Sequence, residues 1–125
     1  MNIIEKLTHL EKEAEGFGFK WENTHQIMDQ IKSECVEIDE HLDAIKNDNK
    51  SKLQEEIGDL MHAIFSLCVF CQFDPQVTLE NSVNKFERRL NAVKKIAQEN
   101  GIATLNGFDF DELMKFWDQA KKRVG

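Results

Sequence analysis

The sequence predicts an all-α fold, a four-helix-bundle-like single domain over residues 1–125 that ends in a short helix. Apolar residues recur at helical three-to-four spacing along most of the chain, and there is little alternating, β-branched sequence to build a sheet. Gly16, Gly18, Pro75 and Gly101 fall between the periodic segments, where turn geometry is needed.

A first helix is expected over residues 2–14, stopping at Gly16-Phe17-Gly18, after which Phe17, Phe19 and Trp21 form an aromatic lead-in. Asn23 and Thr24 are good N-cap types for a second helix running to about residue 46, before the polar break Asn47-Asp48-Asn49. Its apolar stripe is Ile27, Ile31, Ile38, Leu42 and Ile45. At about 100° per residue, Glu34 falls inside that stripe and Glu37 at its edge, so a carboxylate faces inward.

Ser51-x-x-Gln54 has the pattern of a capping box for a third helix reaching about Cys71, with Leu53, Ile57, Leu60, Ile64 and Leu67 as its stripe and Glu56 and Asp59 flanking it. Residues 63–71 are apolar nearly all round, which implies burial on two faces and a subunit interface. Thr78 is the expected N-cap of a fourth helix ending near Asn100-Gly101, and Asp109-x-x-Glu112 opens a last one through Lys122.

Composition narrows the function classes. A chain of 125 residues is long enough to bury a core without disulfide or metal staples. Three cysteines, Cys35, Cys68 and Cys71, suit no secreted disulfide framework, and Cys68-x-x-Cys71 lies inside an apolar helical segment with no second ligand pair, which favours packing over redox or zinc chemistry. The N-terminal residues mix lysines and glutamates among apolar ones, and no apolar run approaches the roughly 20 residues that cross a bilayer. A cytoplasmic protein without membrane association is expected. The formal charge of −7 argues against a broad nucleic-acid surface, yet allows a small polyphosphate that arrives with its own cation.

Two carboxylate pairs carry the chemistry. Glu34 with Glu37 and Glu56 with Asp59 are each spaced i,i+3, so each pair projects from one helical face. The short polar break between their helices predicts antiparallel packing that sets the pairs face to face. Four carboxylates on a partly apolar seam repel one another and resist desolvation; they must either protonate or take up a cation. Hard oxygen ligands favour Mg²⁺, with Mn²⁺ able to substitute, over zinc. For either pair alone a solvated acidic face is the simpler reading; two pairs on adjacent helices, one reaching into an apolar stripe, tip the balance toward a metal. Lys85, Arg88 and Arg89 add a basic row, with Lys85 and Arg89 at i,i+4, and Trp117 and Lys121 repeat that spacing near the C-terminus. Alone, such a row is equally a charged helix surface.

Taken together these residues resemble the MazG family of all-α nucleoside triphosphate pyrophosphohydrolases, whose metal signature Glu-Glu-x-x-Glu is followed by Glu-x-x-Asp. Here it reads Ser33-Glu34-Cys35-Val36-Glu37, then Glu56-Ile57-Gly58-Asp59, separated by residues 38–55. The Trp21-to-His25 segment, the Lys85-to-Arg89 stretch and Trp117-x-x-x-Lys121 are similar to further family features, so the likeness covers residues 17–122. One departure is Ser33 in place of the first motif glutamate, which touches an outer or water-orienting role and leaves all four metal positions intact.

The resemblance implies Mg²⁺-dependent hydrolysis of nucleoside triphosphates to monophosphate and pyrophosphate. In that scheme Glu34, Glu37, Glu56 and Asp59 hold metal, and Glu34 or Glu37, the latter foremost, helps position or deprotonate water. Lys85, Arg88 and Arg89 neutralise phosphate charge, Trp117 and Lys121 complete the substrate site, and Trp21 stacks on the base or anchors its loop. A homodimer or homotetramer is implied as well. Two rivals bear on the same residues. A di-iron bundle is suggested by Asp59-x-x-His62 but wants a second such motif, and His41 stands at the wrong offset from Glu37. A catalytically idle interaction module predicts no metal dependence.

Overall fold

The computed structural model describes residues 1–43 and 49–125. It contains five helices, α1 (Ile3–Phe17), α2 (Thr24–Asp43), α3 (Lys50–Phe70), α4 (Pro75–Glu99) and α5 (Phe110–Val124), and no strand among the described residues. The chain is all-α, as its periodicity predicts. The expected extension of α2 to residue 46, Ile45 of its stripe, and Asn47 and Asp48 of the polar break lie outside the described residues. Contacts gather the chain into two compact units, Met1–Thr78 and Leu79–Gly125. Among the described residues no single helix is long and apolar enough to cross a membrane.

In the first unit, Asn2 caps α1 by accepting the Glu5 N–H at 2.8 Å. The helix runs one turn past the expected stop because Gly16 stays helical and the left-handed residue is Gly18, at φ 97°. Its N–H donates to Glu15 O and that of Phe19 to Ala14 O, closing the last carbonyls. The half-buried face of α1 is Ile4, Leu7, Thr8, Glu11 and Ala14, a three-to-four repeat that puts one carboxylate on the packing side. Asn23 caps α2, accepting from the Gln26 N–H, while the Gln26 side chain reaches back to the Glu22 N–H.

Both α1 and α2 pack on α3. His41, late in α2, touches Glu56, early in α3, whereas Glu34, earlier in α2, feels Asp59, later in α3. That reversed order is what an antiparallel pair produces. The inward line of α2 is Ile27, Ile31, Glu34, Ile38 and His41. Leu42, expected on that line, is exposed, and His41 takes its place.

The inward line of α3 differs from the expected one. Its buried residues are Glu56, Ala63 and Ser66, while Ile57 is 42 % and Ile64 45 % exposed. The helix is rotated so that polar and small residues meet α1 and α2, and two members of the apolar stripe point away with Met61. The expected capping box is also corrected: Asn49 occupies the N-cap and Ser51 lies within the first turn. At the start of α4 the cap is Asp74, not Thr78. The Asp74 carboxylate accepts from the Gln76 and Val77 N–H groups, and Pro75, with no N–H to satisfy, takes the first helical position. The Thr78 hydroxyl donates back to Asp74 O.

In the second unit, Ala92 and Ile96 of α4 and Ala120 of α5 form a buried cluster with Val93 and Phe116 against it. Phe108 meets Phe116 edge-on at 5.8 Å. The Asn100-Gly101 stop is as expected, with Gly101 at φ 71° and the Ile102 N–H closing onto Ala97 O. Asp109 caps α5 by accepting the Glu112 N–H at 2.8 Å. A two-bond Arg123–Glu99 pair, at 3.0 and 2.8 Å, links the two helices.

Candidate metal centre and the adjoining cavity

The packing of α2 on α3 gathers the four carboxylates singled out in the sequence. Glu34 and Glu56 occupy the inner positions, each 8 % exposed, and Glu37 and Asp59 lie outside them on the same helices. The i,i+3 spacing produces this division, because each pair shares a face with one member turned further toward the neighbouring helix.

Glu34 Oε1 accepts a hydrogen bond from Gln30 Nε2 at 2.9 Å, but its Oε2 is buried with no hydrogen-bond partner. Glu56 Oε2 is orphaned in the same way. His41 Nε2 lies 3.2 Å from it, close enough for an ion pair if the ring is protonated, without the alignment of a hydrogen bond. Burial pushes the Glu34 carboxyl above its ordinary range, the negative charges of Glu37 and Asp59 push it further and Glu56 adds to them, while the Gln30 bond opposes the rise.

Two orphaned carboxylate oxygens on facing helices, with two more carboxylates beside them, fit a hard divalent cation. The donor set is all oxygen, which suits Mg²⁺ or Mn²⁺ and disfavours zinc. The residues are gathered rather than closed into a cage: among the described residues no three His, Cys, Asp or Glu side chains stand at metal-ligand spacing.

One turn further along α3 the chemistry changes. His62 Nε2 and Ser66 Oγ both lie 2.7 Å from Glu11 Oε1, which accepts the two bonds across the α1–α3 contact. The three residues line a cavity of about 650 Å³ with Phe19, Trp21 and Phe70. The His62 side chain is 57 % exposed and pairs with Glu11.

Of the basic and aromatic residues singled out in the sequence, Lys85, Arg88, Arg89, Trp117 and Lys121 belong to the second unit and Trp21 to the first. The Arg89 guanidinium lies 5.6 Å from the centre of the Trp117 ring, and its Nε donates to Gly125 O at 2.9 Å. Phe86 packs against the same indole at 6.0 Å. Lys121 pairs with Asp118 at 3.5 Å, and Lys85 and Arg88 are exposed.

His41, Gln30, Glu11 and Ser66 are the residues sequence reasoning missed. His41 carried a signal, since it stands seven residues after Glu34 and thus on the same helical line. Glu11 carried none, because its partners lie more than fifty residues away.

The MazG nucleotide pyrophosphohydrolase domain matches residues 23–94, more than half of the chain and the stretch that holds all four carboxylates. The chain is 27 % identical over 112 residues to the nucleoside triphosphate pyrophosphohydrolase/pyrophosphatase MazG of Thermotoga maritima, covering 90 % of this chain and 41 % of that protein. It is 28 % identical over 115 residues to the nucleoside triphosphate pyrophosphohydrolase of Escherichia coli K12, covering 91 % and 43 %. A 74-residue match at 27 % identity, 59 % of this chain, is found with the uncharacterized protein YabN of Bacillus subtilis, of which it is 15 %. The chain thus spans about two-fifths of the length of the first two relatives. With the family domain matched across its carboxylate helices, the chain belongs to the MazG family.

Proposed function

We propose that residues 1–125 act as one MazG-like domain that hydrolyses ribo- or deoxyribonucleoside triphosphates to the monophosphate and pyrophosphate, with Mg²⁺, in cytoplasmic nucleotide-pool house-cleaning. The observation that carries this reading is the pair of buried, orphaned oxygens Glu34 Oε2 and Glu56 Oε2 on facing helices. The Thermotoga maritima and Escherichia coli K12 relatives are named nucleoside triphosphate pyrophosphohydrolases.

Glu34, Glu37, Glu56 and Asp59 would hold the cation. Bound there, it supplies positive charge against which phosphate oxygens can accumulate negative charge. Gln30 fixes the rotamer of Glu34 through its 2.9 Å bond, and His41 sits against Glu56, so the two inner carboxylates are oriented before any ligand arrives. Glu37, exposed beside the inner pair, would also help position or deprotonate an attacking water, with Glu34 as the second candidate. Phosphate binding falls to Lys85, Arg88 and Arg89, completion of the substrate site to Trp117 and Lys121, and base contact to Trp21, which lines the cavity on the first unit.

The chain would work as a homodimer or homotetramer. What supports association is the apolar face of α3, where Ile57, Met61 and Ile64 stand exposed in a row, a pattern that pairing would bury. Neither a nucleic acid nor a membrane enters the scheme.

The test is incubation of the protein with each common ribo- and deoxyribonucleoside triphosphate and Mg²⁺, with products separated by chromatography beside Glu56→Gln. Monophosphate and pyrophosphate, lost in the variant, are expected. Intact nucleotides throughout, with no effect of Mg²⁺ on thermal stability, would overturn the reading in favour of an idle interaction module.

A further inference from the structure

The carboxylate centre and the cavity share one ridge of α3. Asp59, His62 and Ser66 follow at i, i+3 and i+7, so they lie along one face, and at 1.5 Å per residue Ser66 stands about 10 Å up the axis from Asp59. A nucleotide held by its phosphates at the Asp59 end would carry its base a comparable distance along this ridge, into the cavity lined by Glu11, Phe19, Trp21, His62, Ser66 and Phe70. We propose that this cavity is the nucleobase subsite and that Glu11 selects bases bearing an exocyclic amine, guanine foremost. The proposal rests on the nucleotide-hydrolase reading above.

The cavity has the two parts a base needs. Phe19, Trp21 and Phe70 offer aromatic faces for stacking, which any base accepts and which confers little discrimination. Its volume of about 650 Å³ admits a purine. Discrimination falls to the polar edge. A carboxylate only accepts hydrogen bonds, and the Glu11 side chain is 18 % exposed, its Oε1 held at 2.7 Å by both His62 and Ser66. Two donors on one oxygen fix the rotamer and leave Oε2 as the acceptor the group can offer a ligand.

Guanine meets that acceptor with two adjacent donors, its ring N1–H and its 2-amino group. Hypoxanthine keeps the ring N–H and lacks the amine. Uracil and thymine present an N–H flanked by two carbonyls, which a carboxylate repels. Glu11 therefore discriminates by donor count on one side and by repulsion on the other.

The test is calorimetric titration with guanosine and inosine monophosphates, which differ only in that amine, on the full chain and on Glu11→Gln. The wild type should bind the guanosine nucleotide at least about tenfold more tightly, and the ratio should fall below about threefold in the variant. Equal affinities in the wild type, or a ratio unchanged by Glu11→Gln, would overturn the proposal. Should Glu11→Gln lose its helical circular-dichroism spectrum, amide shifts of the wild type decide: guanosine monophosphate should move Glu11, His62, Ser66 and Phe70, and shifts confined to other residues would refute the subsite. Parallel assays with GTP and ITP plus Mg²⁺ separate the two readings. A guanosine preference in a protein that leaves both triphosphates whole would support the subsite and sink the hydrolase assignment, whereas hydrolysis with no such preference would sink the subsite alone.

Discussion

Carboxylates meet α3 on two sides, and the protein treats them in opposite ways. Toward α1, Glu11 is met by two donors at 2.7 Å from one oxygen; toward α2, Glu34 and Glu56 each keep a buried oxygen with no hydrogen-bond partner. The same side-chain chemistry is satisfied on one side of a helix and left wanting on the other. Unsatisfied buried charge costs stability, so its persistence at one place in a small domain marks where a cation is expected, while the satisfied carboxylate is a fixed acceptor.

The sharpest way to break this contrast is at Glu56. Removing its charge in Glu56→Gln should lower Mg²⁺-dependent turnover on the order of a hundredfold or more, and the same change should leave the metal-free fold no less stable, because it relieves repulsion. A steady-state assay beside a thermal melt in chelator reads both. If turnover survives, the orphaned oxygens are not the metal site.

Next in size is the response to the cation itself. Mg²⁺ at a hundred times its dissociation constant should stabilise the folded state by about 2.7 kcal/mol, seen as a rise in Tm that chelator reverses. Glu34→Gln and Glu56→Gln should abolish the rise, and Glu11→Gln should keep it. A rise that persists in the first two variants would move the cation elsewhere.

On the satisfied side the sign reverses. Ser66→Ala removes a buried donor and should cost about 1 kcal/mol in denaturant unfolding, and Glu11→Ala, which leaves the buried Ser66 hydroxyl without its acceptor, about 1 to 3 kcal/mol. Near-zero changes in both would mean that the Glu11 bonds are replaced by water.

The smallest effect belongs to the second unit, where Arg123 holds the Glu99 carboxyl below its ordinary range through their hydrogen bonds and charge. A depressed carboxyl favours folding above its unfolded pKa, and the contribution disappears as pH falls through the lowered folded value. In Arg123→Ala the stability near neutrality should be slightly lower than in the wild type, and the two should converge as pH falls through the acid range. Both partners are exposed, so the change should be slight.

Much of this was legible in the sequence. Helix existence, the Asn23 and Asp109 caps and the Gly101 stop follow from local chemistry, and Glu34 betrayed itself as an acid inside an apolar line. The facing of α3 was not legible. Periodicity identifies a stripe and assumes it points inward; here Glu56, Ala63 and Ser66 do, because α1 and α2 bring polar partners and close packing to that side. The Asp74 cap was hidden by the Thr78 alternative, since either residue type can begin a helix and only the position of Pro75 decides. Glu11 was beyond reach because its contacts depend on tertiary packing alone.

The end of α1 constrains the cavity in a way that handedness can probe. Gly18 sits at φ 97°, and a methyl group built on it would meet nothing within 4 Å. Its requirement is conformational rather than steric: the open space admits a side chain, but the backbone refuses one of natural chirality. A D-alanine introduced there by chemical ligation should preserve the fold and the placement of Phe19 and Trp21, where L-alanine would force the segment to rebuild. The cavity wall thus depends on the stereochemistry of a single position that contributes no atom to it.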